Sequence, residues 1–215
     1  MQDIINIISN KILTPQGYHD FADKRTFLGI PNFLDIVSNI AILLPALYLL
    51  QTRKTKSLKS NLLILHLVLL AITSSYYHID PSDKTVFLDI MSIATGSIIV
   101  LLIIMNTSTE YSLLLYSFAI FSIIYWKYTG DLRFYLLIYI GVPLYIILKY
   151  YKKNNLRVYL LIMILSNILM WLTEFNDHYV YNLTNNLVSG HTLKHIFAGI
   201  GIFFVIKIFK KENKL

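Results

Sequence analysis

The chain contains no cysteine, which excludes disulfides, thiolate catalysis and cysteine-ligated metal sites. Charged residues are also scarce, at 14% of its 215 residues, whereas 56% of the residues are hydrophobic. An ordinary soluble domain carries roughly a quarter charged residues. The mean hydropathy of +0.59 agrees with this imbalance. The composition therefore excludes a soluble fold and predicts one integral-membrane domain.

The apolar residues form seven runs, each close in length to the roughly 20 residues with which a helix crosses a bilayer. Turn-forming residues separate the runs, as in Asp80-Pro81-Ser82-Asp83 and Thr129-Gly130-Asp131. This pattern predicts an all-α integral membrane protein with a bundle of seven transmembrane helices. The predicted spans lie near 32–51, 61–78, 85–105, 111–126, 134–150, 158–175 and 191–209.

These spans divide the chain into a surface segment at 1–31, a membrane domain at 32–209 and a basic tail at 210–215. Within the first segment, four isoleucines follow helical spacing. This stretch lies along the membrane surface or forms a frayed terminus, and the sequence leaves both alternatives open. The four are Ile4, Ile5, Ile8 and Ile12.

The basic residues lie between the apolar runs rather than in one patch, so the net charge of +7 does not indicate a nucleic-acid partner. Lysine and arginine instead mark cytoplasmic loops. With seven spans, most of the 19 basic residues fall on the side of the C-terminus. This predicts a cytoplasmic C-terminus and an outside or lumenal N-terminus. The basic residues on the C-terminal side are Arg53, Lys54, Lys56, Lys59, Lys149, Lys152, Lys153, Arg157, Lys207, Lys210, Lys211 and Lys214.

Polar residues within the spans indicate where function lies, because they are costly in a bilayer unless they are paired or used. The second span ends with Ser74 and His78, the third opens near Asp89, and the seventh opens with His191 and His195. The alternating direction of the spans places all five residues near the same membrane face. Residues four apart stack on one side of a helix, so His191 and His195 can share one metal ion.

Three neutral imidazoles leave a fourth tetrahedral position for water, which is the usual arrangement of a catalytic zinc. An all-oxygen calcium or magnesium site would not use histidine. The sequence therefore predicts a metal site of His78, His191 and His195. The alternative is that these histidines only bond loop carbonyls at the helix ends, and spacing alone leaves it open.

The serine and histidine of span two, the aspartate of span three and the histidine pair of span seven resemble the signature of the alkaline ceramidase-like membrane hydrolases. That superfamily also includes the adiponectin and progestin receptors. The predicted orientation agrees with the ceramidases, whereas the adiponectin receptors face the opposite way. Further residues resemble the bacterial-type branch of the family: Tyr18-His19-Asp20-Phe21-Ala22-Asp23-Lys24-Arg25, Gly29-Ile30-Pro31-Asn32-Phe33 and Ser38-Asn39.

The resemblance implies a zinc ion on the three histidines and hydrolysis of a ceramide-like lipid amide to a fatty acid and a sphingoid base. It also implies that Asp89 takes the proton of the attacking water and passes it to the leaving amine. Ser74 would orient that water or donate to the oxyanion, although a serine in a helix also commonly bonds the carbonyl four residues back. The active site is expected near the outer face, in the cytoplasmic membrane if the source is bacterial.

The sequence departs from the family at two places. Members commonly have Trp-Asp-Arg and a proline where this chain has Leu88-Asp89-Ile90-Met91-Ser92. The acidic calcium-binding cluster of the animal ceramidases is missing, and Asn32 stands where a glutamate is expected. Asp35 is a lone acid in the first span that binds a cation, a substrate amine or a neighbouring helix.

Two other functions compete with the hydrolase. The first is a receptor-like or regulatory membrane protein in which zinc is structural. The second is a haem protein with two axial histidines, which would not need a third.

Overall fold

Helices form almost all of the regular structure in the computed structural model, which describes residues 10–53, 57–105 and 107–215. Within these residues there is no strand, and the two β-bridges are isolated. The prediction of an all-α protein is confirmed. The helices are α1 (Phe33–Ser38), α2 (Ile40–Thr52), α3 (Leu58–Ile79), α4 (Asp83–Met105), α5 (Thr109–Thr129), α6 (Arg133–Tyr150), α7 (Arg157–Phe175), α8 (Asp177–Leu183) and α9 (Gly190–Lys211), with a 3₁₀ turn at Asn154–Leu156.

Six helical segments among the described residues are long and apolar enough to cross a membrane, which indicates a multi-pass membrane protein. The helix α5 is not among the six. It has 21 residues and, at about 1.5 Å per residue, the length of a crossing. Its tyrosines, serines, Glu110 and Lys127 make it less apolar than the others. The six segments are Phe33–Thr52, Leu58–Ile79, Asp83–Met105, Arg133–Tyr150, Asn154–Phe175 and Gly190–Lys211.

Large apolar side chains cover the outside of the bundle, as expected of a surface that faces lipid. Leu44, Leu65, Leu137 and Leu161 are each at least half exposed. Small residues instead occupy the closest helix contacts, which is typical of packing between membrane helices. A Cβ atom on Gly199 would lie 2.2 Å from the backbone oxygen of Ala41, so α9 and α2 cross with their backbones almost touching.

At the opposite end from the histidines, polar contacts join the ends of α2, α7 and α9. Lys210 donates to the carbonyl of Thr52 at 2.7 Å, and Lys211 donates to that of Asn155 at 2.9 Å. Lys153 pairs with Glu212. Two of the predicted cytoplasmic basic residues, Lys54 and Lys56, lie outside the described residues, as do Ile4, Ile5 and Ile8.

Residues 10–32 extend across the end of the bundle that carries the histidines. Leu13 forms an isolated bridge with Asp131, and the indole of Trp126 donates to Thr14 at 2.9 Å. Residues 18–25, here named the strap, lie over the end of α3 and the start of α9. The strap is the part of the N-terminal segment that bears on the site.

Asp23 and Arg25 anchor the far end of the strap. The Asp23 side chain is fully buried, and the Arg25 guanidinium donates to both of its oxygens at 2.8 and 2.7 Å. Arg25 also donates to the carbonyl of Leu187 at 2.8 Å, which joins the strap to the segment before α9. Burial raises the pKa of Asp23, but the hydrogen bonds from Arg25 outweigh it and leave the pKa below its usual value of 3.8.

Replacing Asp23 with asparagine should therefore lower the thermal midpoint by a few degrees at neutral pH. Because the folded-state pKa is depressed, the ionised carboxylate stabilises the fold above the unfolded-state pKa. That contribution is lost as the pH falls through the folded-state pKa. Thermal unfolding of both proteins across the acid range measures the effect. The gap between their midpoints should close on acidification, and a gap independent of pH would contradict the assignment.

Candidate metal centre

The three predicted histidines come together at the strap end of the bundle. His78 lies in the last turn of α3, and His191 and His195 lie in the first two turns of α9. Their ring centroids are 4.7 to 5.0 Å apart, and one potential ligand atom from each lies within 4.8 Å of the others. All three side chains are buried. The prediction that these residues form a group able to hold a metal ion is confirmed.

Hydrogen bonds at the N-terminus of α9 fix where its two histidines begin. The Ser189 hydroxyl caps the helix by accepting from the backbone N–H of Thr192 at 2.9 Å. The hydroxyls of Ser189 and Thr192 both donate to one oxygen of Asp35, at 2.9 and 2.6 Å. Asp35, the lone acid of the first predicted span, thus bonds a neighbouring helix, which is one of the three roles that the sequence left open. It ties α1 to the helix that carries His191 and His195.

The surroundings of His195 select which of its nitrogens faces the cluster. Its Nδ1 lies 3.1 Å from the backbone oxygen of Asp35 and 2.7 Å from the Ser38 hydroxyl. That hydroxyl donates to the same Asp35 oxygen at 2.8 Å, so it accepts from His195. Since a carbonyl oxygen only accepts, Nδ1 carries the proton and Nε2 is left to bind a metal. Such outer hydrogen bonds commonly orient metal-binding histidines.

His78 is the member of the cluster whose environment fits a metal most directly. Both of its ring nitrogens are buried, and neither has a hydrogen-bond partner in the part of the chain that the structure describes. A buried polar atom without a partner costs roughly 1–3 kcal/mol, so such atoms call for an explanation. A metal ion shared with His191 and His195 supplies one for the nitrogen that faces them. Imidazole nitrogen suits zinc, copper, iron or nickel, so the cluster alone does not select the metal.

Ser74 and Asp89, the two predicted catalytic residues, line one cavity together with His195. Both side chains are buried, and the Oδ1 atom of Asp89 has no hydrogen-bond partner among the described residues. The cavity has a volume of about 200 Å³. The structure therefore brings both predicted residues to the wall of the same cavity as one histidine of the candidate metal site.

The remainder of the cavity runs between the helices and is lined mainly by apolar side chains. Along α3 it reaches from Ser74 to Leu63, and along α9 from Lys194 to Ile206. At about 1.5 Å per residue each stretch is about 16–18 Å long. The cavity thus carries Asp89 and Lys194 at the histidine end and is mainly apolar along its length, where His66, Ser97 and Asn167 are polar lining residues.

Lys194 is a polar residue of the cavity wall that was not predicted as a site residue from the sequence. It lies between the two histidines of α9, lines the cavity beside Asp89 and forms an ion pair with Glu174 of α7. A charge inside a predicted span was a signal that could have found it. Phe21 and Asp177, which also contact the cluster, gave no such signal because both lie in predicted loops.

The other histidines take structural positions. His66 of α3 is buried and bonds the carbonyl of Ser92 on α4 at 2.5 Å, so it is a core histidine bonded to another helix. His19 bonds the Tyr77 hydroxyl at 2.9 Å and Asp83 at 3.1 Å, and His178 bonds the carbonyl of Asp20 at 3.0 Å. Neither loop histidine belongs to the cluster that can hold a metal.

Asn32 is buried beside the end of α3. Its side-chain amide donates to the backbone oxygen of His78 at 2.8 Å. Asn32 therefore supports the end of α3 in this chain. Asn39 also bonds α3, by donating to the Ser75 hydroxyl at 3.3 Å.

No protein-family model matches the chain, and comparison with curated proteins finds no match.

Proposed function

We propose that the protein is a zinc-dependent hydrolase of lipid amides, with ceramide-like lipids as its substrate class. The observation that carries the proposal is the histidine cluster inside a membrane bundle, one member of which, His195, lines a mainly apolar cavity together with Ser74 and Asp89. The resemblance of Ser74, His78, Asp89, His191 and His195 to the ceramidase-like signature gives the reaction. Zinc at such a site polarises an amide carbonyl and makes water a better nucleophile.

Asp89 is the proposed acid–base residue. In amide hydrolysis a water oxygen adds to the carbonyl carbon, the C–N bond breaks, and a proton must reach the leaving nitrogen. The unpartnered Oδ1 of Asp89, at the cavity wall beside His195, is free to accept the water proton and return it to that nitrogen. Ser74 lines the same end and can donate its hydroxyl hydrogen to the carbonyl oxygen as charge develops there.

The apolar length of the cavity supports a substrate with a long hydrocarbon chain. Leu63, Ile146 and Ile206 line its far part, where a hydrocarbon chain would meet mainly apolar side chains. The polar groups, including Lys194, are concentrated at the other end. A lipid amide fits when its amide lies at the histidine end and its acyl chain follows the helices.

We further propose seven crossings, with α5 as the fourth and the histidine end facing outward. The backbone oxygen of Thr129, at the end of α5, accepts a hydrogen bond from Lys11 at 3.0 Å. Lys11 belongs to the same N-terminal segment as the strap, which extends across the histidine end of the bundle. The basic residues Lys153, Lys210 and Lys211 contact the opposite end of the bundle. The positive-inside rule assigns that end to the cytoplasm.

Replacing Asp89 with asparagine tests the hydrolase directly. Loss of a general acid–base typically costs about 10²- to 10⁴-fold in rate. Zinc-loaded wild-type protein in detergent should release fatty acid from a ceramide. The Asp89→Asn variant should retain zinc but release fatty acid more slowly by this factor. Fatty acid is measured by mass spectrometry.

Asp83→Asn is the matched control, because Asp83 begins the same helix but its carboxylate is exposed and bonds only His19 among the described residues. It should retain the rate. Wild type that binds zinc and releases no fatty acid from any lipid amide would contradict the hydrolase and leave the zinc structural.

A further inference from the structure

Phe21 of the strap packs directly on the histidine cluster. Its ring centroid lies 4.6 Å from that of His78 and 4.7 Å from that of His191. The side chain is 4% exposed, although it belongs to a segment without regular structure at the end of the bundle. An apolar ring therefore contacts two of the three candidate ligands on the side of the strap.

This contact matters most for His78. The Nδ1 of His195 is held by Ser38 and the Asp35 carbonyl, whereas neither ring nitrogen of His78 has a hydrogen-bond partner within residues 10–53, 57–105 and 107–215. Packing alone then sets the orientation of the His78 ring. Phe21 supplies the nearest aromatic contact from outside the cluster, closer than the 5.3 Å between the rings of His78 and Tyr77.

Hydrogen bonds on both sides of Phe21 hold it in place. On one side, His19 bonds the Tyr77 hydroxyl at 2.9 Å. On the other, the backbone N–H of Ala22 donates to one oxygen of Asp177 at 2.9 Å. The second oxygen of Asp177 accepts from the backbone N–H of His191 at 2.7 Å. One carboxylate thus joins the strap to the helix that carries two of the candidate ligands.

We propose that Phe21 is a positioning residue of the metal centre, which orients His78 and shields the cluster from water and dissolved ions on the strap side. Metal exchange with the aqueous phase then requires the strap to lift. The inference rests on the metal-binding part of the proposed function and does not depend on hydrolysis.

The rate at which bound zinc is lost to a water-soluble chelator tests this role. In the wild type, release is limited by opening of the strap, so its rate should become independent of chelator concentration. In Phe21→Ala the chelator reaches the ion directly, so the rate should rise with chelator concentration. Loss of outer support typically costs about 10- to 100-fold in metal affinity, and we expect release to be faster by a similar factor.

Phe27→Ala is the matched control, since Phe27 lies in the same N-terminal segment but is 56% exposed and packs on Phe33 instead of the cluster. Its release rate should equal that of the wild type. Phe21→Leu retains apolar bulk and replaces the alanine variant if that variant does not fold. Its zinc-release rate should lie between those of the wild type and Phe21→Ala. The proposal would be overturned if both Phe21 variants released zinc with the kinetics of the wild type. It would also be overturned if Phe27→Ala released zinc as fast as Phe21→Ala. A wild type that binds no zinc would overturn the metal centre itself, whereas a failed fatty-acid assay would leave this inference standing.

Discussion

Replacing His78 with alanine should reduce the zinc content of the purified protein from about one ion per chain to nearly none. His191 and His195 alone leave two ligands, four residues apart on one helix, whereas protein zinc sites commonly use at least three. The loss is expected to be nearly complete because His78 comes from a different helix and closes the cluster. Hydrolysis of lipid amides should disappear with the ion. Elemental mass spectrometry of detergent-purified protein measures the zinc content.

His66→Ala is the control for this experiment, because His66 is also a buried histidine of α3 but bonds the Ser92 carbonyl instead of joining the cluster. It should retain the zinc. Zinc retained by His78→Ala, or lost equally from both variants, would show that His78 is not a ligand. A wild type that stays free of zinc after the ion is added back would mean that the histidines are structural.

Replacing Gly199 with alanine should markedly destabilise the protein. The new Cβ would lie 2.2 Å from the backbone oxygen and 2.6 Å from the carbonyl carbon of Ala41. A backbone group cannot rotate away as a side chain can, so the alanine variant relieves the clash only if α9 shifts away from α2. Overpacking of this kind costs about 1–3 kcal/mol or more. The thermal midpoint should fall by several degrees, and the Ser38–His195 contact at the same helix crossing should weaken.

Gly141→Ala gives the opposite expectation at a glycine in the middle of α6. Apart from its chain neighbours and the backbone of its own helix, no atom of the described residues lies within 4 Å of the Cβ position there. Removing a flexible glycine from a helix interior gains about 0.5–1 kcal/mol, so this variant should be as stable as the wild type or slightly more stable. Thermal unfolding in the same detergent compares the two. Equal effects at both glycines would contradict the close crossing of α2 and α9.

The helices, and the level at which the histidines lie, could be predicted from the sequence because both depend on local properties. The length and apolarity of a run determine that it forms a membrane helix, and the spacing of His191 and His195 puts them on one side of that helix. Alternation of direction then brings His78 to the same end. The sequence evidence for a membrane span was weakest at α5, because tyrosines and serines lower the hydrophobicity of residues 109–129.

Only the tertiary structure decided what surrounds the histidines. Phe21, Asp177 and the Ser38 hydroxyl reach the cluster from segments far apart in the chain, and no periodic pattern relates them to it. The cavity beside Asp89 likewise depends on which faces of α3, α4 and α9 turn inward. Because lipid and protein interior are similarly apolar, hydrophobicity does not distinguish a lipid-facing leucine from a buried one. The inward faces are selected instead by close packing at residues such as Gly199 and by polar contacts such as that of Asp35 with Thr192.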